Sequence, residues 1–263
     1  MTAVSIVIPM RNEAASAERV LTGVARACEG VPHEIVVVDD GSGDGTQGAV
    51  RALMGRIPQL RLIRHETGAG QSAAVHTGVL AARAPVICTM DGDGQNPASE
   101  LARLYGPLIG GPARLGLVAG QRTARRDTLS KRLASRAANA IRARALGDDT
   151  RDSGCGLKAF RRDAFLALPY FDHMHRYLPA LFAAQGWEIR HVDVAHRERM
   201  AGRSNYTNLQ RALVGVHDLI GVAWLIRRRK RAVVLPEDAA TRLRPAAEAA
   251  PGAATPRPQS PAA

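Results

Sequence analysis

Twice in this sequence a short apolar run breaks abruptly into an acidic, glycine-bearing turn. Glu34-Ile35-Val36-Val37-Val38 stops at Asp39-Asp40-Gly41-Ser42, and Val86-Ile87-Cys88-Thr89-Met90 stops at Asp91-Gly92-Asp93-Gly94. Short apolar runs bounded by turn residues read as buried strands. Further runs of this kind lie at Val4 to Pro9, Leu60 to Arg64, Leu115 to Ala119 and around Glu188 to Val194. Helical patterning fills the intervals: Asn12 to Cys28, onward from Thr46, Gly70 to Ala82, Arg125 to Leu146, and His173 to Gln185. Strands alternating with helices predict one α/β domain, a mostly parallel sheet with helices on both faces. In such sheets ligands bind at the carboxyl ends of the strands, where both acidic turns fall.

The composition is that of a globular protein, with 46% hydrophobic and 23% charged residues in 263. A formal net charge of +12 predicts attraction to nucleic acid, anionic lipid or phosphorylated substrates. Only 4% of residues are aromatic and no recognition motif is present, so specific nucleic-acid binding is not expected. Cys28, Cys88 and Cys155 lie far apart, without zinc or redox spacing, and Met1 leads directly into a strand-like run. Both features predict a cytoplasmic protein.

Three segments are expected: a catalytic domain over 1–208, an apolar-to-basic helix over 209–231, and a disordered Ala/Pro-rich tail over 232–263. The helix carries Leu209, Leu213, Val216, Ile220 and Trp224 on one stripe before Arg227-Arg228-Arg229-Lys230-Arg231. His217 and Asp218 interrupt it, so it does not read as a membrane span. Lying in a bilayer interface and packing on the domain or another subunit are both open to it.

The carboxylates of Asp91 and Asp93 suit a hard divalent cation, Mg²⁺ or Mn²⁺, which would bridge donor phosphates and neutralise a leaving diphosphate. Gly92 and Gly94 let the backbone approach the ligand. Asp40 is placed to accept from a base edge, with Pro9 and Glu13 lining the same pocket. One of the two adjacent aspartates is expected to cap its own turn, as Asp39 could through Ser42 or Gly43.

Ile8-Pro9-Met10-Arg11-Asn12-Glu13, Val36 to Thr46, and Met90 to Pro97, in that order, resemble the signatures of glycosyltransferase family 2, and within it the dolichyl- or polyprenyl-phosphate mannosyltransferase branch. The resemblance covers roughly residues 4 to 231. It implies a GT-A-type, Rossmann-like fold, with Pro9, Glu13, Val38 and Asp40 around the nucleoside and Asp91, Asp93 and Gln95 around the metal and diphosphate. It implies further that Arg122 and Arg151 meet the acceptor phosphate, and that Arg199 to Tyr206 closes over the donor diphosphate. Three positions depart from the branch: Arg11 stands where an aromatic residue is usual, Cys155 replaces an acceptor-loop serine, and Asn205 replaces a lysine that Arg203 can compensate.

The resulting expectation is an inverting transferase. It would move a sugar from GDP-mannose or a UDP-hexose to a lipid-linked phosphate, peripherally at the inner face of the cytoplasmic membrane, as a monomer or an oligomer. A phosphate oxygen is already anionic and needs no strong base. A hydroxyl acceptor on a cell-envelope glycan would need one, and Asp152 is then the candidate. Rival readings are a nucleotidyltransferase, which lacks its phosphate-cradling glycine loop here, and a catalytically silent membrane-binding scaffold.

Overall fold

Strand β1 (Val4–Met10) lies inside the sheet, paired in parallel with β2 (His33–Asp39) on one side and β4 (Val86–Thr89) on the other. The computed structural model describes residues 2–122, 141–148, 150–196 and 208–230. With β3 (Leu60–Arg64), β5 (Leu115–Arg122), β6 (Lys158–Arg161) and β7 (Glu188–Val194), the sheet has seven strands in the order β3-β2-β1-β4-β6-β5-β7. Only β6 runs antiparallel to its neighbours.

Strands β1 and β2 are apolar at nearly every position because both sheet faces are covered. Val4, Ile6 and Ile8 point into one core, which also takes Val20, Leu21 and Val24 of α1 (Ala14–Ala27), Val50 and Leu53 of α2 (Thr46–Met54), and Leu101 and Leu104 of α4 (Leu101–Tyr105). Val7, Val36 and Val38 point the other way, against Val75 and Val79 of α3 (Gln71–Ala81). Helices α5 (Arg162–Leu166), α6 (Leu178–Ala184) and α7 (Asn208–Arg228) extend this second core. Each fully buried Val, Leu or Ile contributes about 1.5–3 kcal/mol by leaving water. Gly78 admits close contact of α3 on β1, since a side chain there would overlap Val7.

Two expectations are corrected. The stretch Lys158–Arg161 was not readable as a strand: it is short, and it is held by pairing with β4 and β5. The helix expected over 173–185 is broken, with a 3₁₀ turn at Met174–Arg176 and α6 beginning at Leu178, because Tyr177 between them takes the non-helical angles φ −109° and ψ 5°. Of the helix expected over 125–146, residues 141–146 are helical and 123–140 lie outside the described residues, as do 231–263.

Candidate active site

Chain order reverses at β1: β2 and β3 follow on one side, and β4 starts the other. That is the switch point where such sheets open a crevice. Register brings Met10 beside Asp39 and Val7 beside Thr89, so the turns after β1, β2 and β4 emerge together.

The first two turns are knitted to each other. Ser42 Oγ accepts from Asn12 N at 3.0 Å, and Asn12 Oδ1 accepts from Gly43 N at 2.9 Å. Thr46 Oγ1 and Asp44 Oδ2 accept from Glu13 N and Ala14 N at 2.9 and 3.2 Å. The opening amides of α1, which no carbonyl of its own can satisfy, are thus capped from the β2–α2 loop. Asn12 takes φ 56° to make the exchange.

The Asp91 turn is fixed from both flanks. Gln71, the first residue of α3, donates to Asp91 Oδ1 at 2.8 Å, and Asn96 donates to Oδ2 at 3.2 Å. From α1, Ser16 Oγ donates to Gly92 O at 2.7 Å and Arg19 reaches Gly94 O at 3.4 Å. Gly92 has no room for a side chain, because a Cβ would lie 2.6 Å from Met10 Cγ. Asp93 Oδ1 accepts from Gln95 N at 3.0 Å, closing the turn. Burial and the charge of Asp93 push the Asp91 carboxyl pKa upward, against the pull of Lys158, Asn96 and Arg122. A carboxylate whose charge is disfavoured beside a second acid suits a hard cation. Among the described residues no group of three or more His, Cys, Asp and Glu is arranged for a metal. Asp91 and Asp93 are the carboxylates here that could hold such an ion.

Across the crevice, the loop entering β6 packs on the Asp91 carboxylate so closely that a side chain on Gly156 would overlap it. Arg122, at the end of β5, donates to Asp152 through Nε and Nη2 at 2.6 and 2.8 Å. Arg151 donates to Gln121 Oε1 at 2.5 Å and to Asp193 at 2.9 Å. Behind the loop, Lys158 is buried and donates to the carbonyls of Cys155 and Ser153. Burial lowers its pKa against the opposing pull of Cys155, Asp91 and Asp152. Arg142 braces the other end, pairing with Asp148 at 2.8 Å and donating to Thr150 O.

The structure brings Pro9, Arg11, Glu13, Asp40, Asp91, Gly92, Asp93 and Gln95 to one edge, with Arg122 at the end of β5 and Arg151 and Asp152 on the facing loop. Asp40, Val38, Cys155 and Asp152 are each engaged within the fold. Asp40 is not an open acceptor: it is 4% exposed and takes bonds from Ala69 N, Gly70 N and His65 Nδ1 at 2.8, 2.9 and 2.8 Å. It thereby shapes the loop that Arg11 covers at Gly68. Val38 is fully buried, so its side chain belongs to the core. Cys155 is 1% exposed and its Sγ lies toward Gly120 in the sheet. Asp152 is paired with Arg122 through both carboxylate oxygens. Asp39 caps its own turn, accepting from Ser42 N at 3.3 Å. Arg199, Arg203 and Asn205 lie outside the described residues.

Sequence reasoning missed Gln71, Asn96, Lys158 and Arg142. Lys158 carried a signal, being one of three lysines among 36 basic residues and following a glycine-rich turn.

Residues 5–168 match the family model described as glycosyl transferase family 2. The chain belongs to this family. Among family 2 relatives, dodecaprenyl-phosphate galacturonate synthase of Rhizobium johnstonii is 33% identical over 86% of this chain and 68% of its own length. Undecaprenyl-phosphate 4-deoxy-4-formamido-L-arabinose transferase of Pectobacterium carotovorum is 32% identical over 79% of this chain and 63% of its own. The chain thus spans about two thirds of the length of these relatives. Among solved structures, glucosyl-3-phosphoglycerate synthase from Mycobacterium tuberculosis with Mn²⁺, UDP and phosphoglyceric acid superposes with TM-score 0.64 at 22% identity, covering 88% of this chain and 80% of that one. A Pyrobaculum calidifontis mannosyltransferase with GDP-Man and Mn²⁺ gives 0.63 at 21% identity, covering 87% and 65%. These likenesses establish the GT-A-type fold of the family 2 domain.

Proposed function

We propose that this protein is an inverting glycosyltransferase that moves a hexose from a nucleotide diphosphate donor to a polyprenyl phosphate at a membrane surface. One observation carries the reading: the loop before β6, whose Asp152 holds Arg122 of β5, is laid directly against the Asp91 carboxylate, so arginine and paired acids face one crevice. The relatives named for dodecaprenyl- and undecaprenyl-phosphate support the acceptor class.

Asp91, Asp93 and Gln95 would hold a Mg²⁺ or Mn²⁺, which supplies charge neutralisation to the departing diphosphate. The turn after β1, with Pro9, Arg11 and Glu13, and the loop shaped by Asp40 receive the nucleoside. Arg122 and Arg151 orient the acceptor phosphate, whose anionic oxygen attacks the anomeric carbon as the bond to the diphosphate breaks. The nucleoside diphosphate leaves with the electron pair, and configuration inverts. No proton needs removal, consistent with an Asp152 held by Arg122. Arg199, Arg203 and Asn205 are assigned to the donor diphosphate on the family resemblance.

The test is a transfer assay with a panel of nucleotide sugars, Mg²⁺ or Mn²⁺, and a short-chain polyprenyl phosphate. Glycolipid and nucleoside diphosphate should form together and be lost in Asp93→Ala. Glycosylation of hydroxyl sugars alone would overturn the acceptor assignment.

A further inference from the structure

Helix α7 is apolar on two faces, and only one of them is used by the domain. Val222 and Ala223 are buried in the core beneath it, with Leu219 and Ile226 packed alongside. Tyr177 Oη donates to Gly215 O at 3.3 Å, and His173 Nδ1 lies 2.9 Å from Asp218, fastening the same inner face. On the outer side Val216, Ile220 and Trp224 are 56%, 65% and 60% exposed. Spaced by four residues, they form one stripe about 12 Å long.

Charge decides what can cover this stripe. Asp218 is the sole acid of α7 and is turned to His173, so the outer face carries no carboxylate. The helix ends in exposed Arg227 and Arg228, the sequence continues Arg229-Lys230-Arg231, and no Asp or Glu occurs from 219 to 231. An apolar stripe with a tryptophan, running into a cationic cluster, matches the boundary between acyl chains and anionic head groups. No helix among the described residues is long and apolar enough to cross a membrane, so the match is to a helix lying in the surface.

We infer that the outer face of α7, formed by Val216, Ile220 and Trp224 with Arg227 and Arg228, docks the domain on an anionic lipid bilayer. This deepens the proposed function, on which it rests for placing the acceptor in the same bilayer.

The experiment uses the full chain with phosphatidylcholine vesicles, with and without phosphatidylglycerol and free of polyprenyl phosphate. Flotation measures binding, and tryptophan emission, read against the contribution of Trp187 that the Trp224→Ser chain retains, reports Trp224. The wild type should float with anionic vesicles and shift its emission to the blue. Val216→Ser/Ile220→Ser/Trp224→Ser should weaken binding about tenfold or more, and Arg227→Gln/Arg228→Gln should weaken it in a salt-sensitive manner. Both variants should keep transfer to a short-chain acceptor in solution, which shows that they fold. Unchanged flotation of the serine variant, or equal wild-type binding to neutral vesicles, would overturn the inference. So would a wild-type dimer that the serine variant dissolves, which would make the face an interface between copies. Vesicle binding with no transfer from any donor would overturn the proposed function and leave the docking face standing.

Discussion

Arg122 holds Asp152 in a two-pronged grip, Nε to Oδ2 at 2.6 Å and Nη2 to Oδ1 at 2.8 Å. The pair is largely out of water, with side chains 20% and 9% exposed. Its geometry fixes the guanidinium and engages both carboxylate oxygens. Asp152→Asn keeps the shape and removes the charge, and a charge-assisted bond is worth about 1.5–3 kcal/mol. Transfer should fall about 10- to 100-fold through the acceptor KM, with donor KM unchanged. Loss instead of the acidic limb of the pH–rate profile would show Asp152 acting as a base.

Asp93→Ala should abolish metal-dependent transfer, lowering kcat by a factor on the order of 10²–10³, the scale for loss of one preorganised charge-stabilising group. Nucleotide binding without metal, followed by calorimetry, should persist, since the turns after β1 and β2 do not depend on Asp93.

Gly156→Ala separates packing from chemistry. The added methyl overlaps Asp91 Oδ2, so the loop and the carboxylate must part. Forced overpacking costs about 1–3 kcal/mol, visible as a lowered Tm. Activity should fall by more than that stability loss accounts for, because the displaced group belongs to the cation site.

Acid should loosen the nucleoside side first. Burial alone would raise the Asp40 pKa, but bonds from Ala69 N, His65 and Gly70 N outweigh it and hold the carboxyl below its usual range. A group depressed in the folded state stabilises the fold above its unfolded pKa, about 3.9. That stabilisation fades as pH falls through the folded value. Asp40→Asn should therefore lower stability at neutral pH by about 1–3 kcal/mol and flatten the acid side of the profile, as measured by urea unfolding across pH.

Local sequence carried β1, β2 and β4 because burial on both faces leaves uninterrupted apolar runs, and the acidic turns stood out against them. It did not carry β6, whose Lys158 and Arg161 look like loop residues. The strand exists through its ladder with Thr89, Val86 and β5, partners far away in the chain. Asp40 was legible as a site residue but not in its orientation, since His65 and the amides of Ala69 and Gly70 are brought to it by the β2–β3 pairing. Cys155 misled for a related reason: its neighbours point to a loop, whereas its thiol is absorbed into the sheet beside Gly120.

The reciprocal bonds between Asn12 and the Ser42–Gly43 turn, and the capping of Glu13 and Ala14 by Thr46 and Asp44, have a consequence for redesign. The segment carrying Arg11 and the segment carrying Asp40 are one inheritable part, although some thirty positions separate them in the chain. A graft from a relative with another base preference should succeed when both segments travel together. Exchanging either alone would leave α1 with uncapped amides and the recipient loop with the wrong partner.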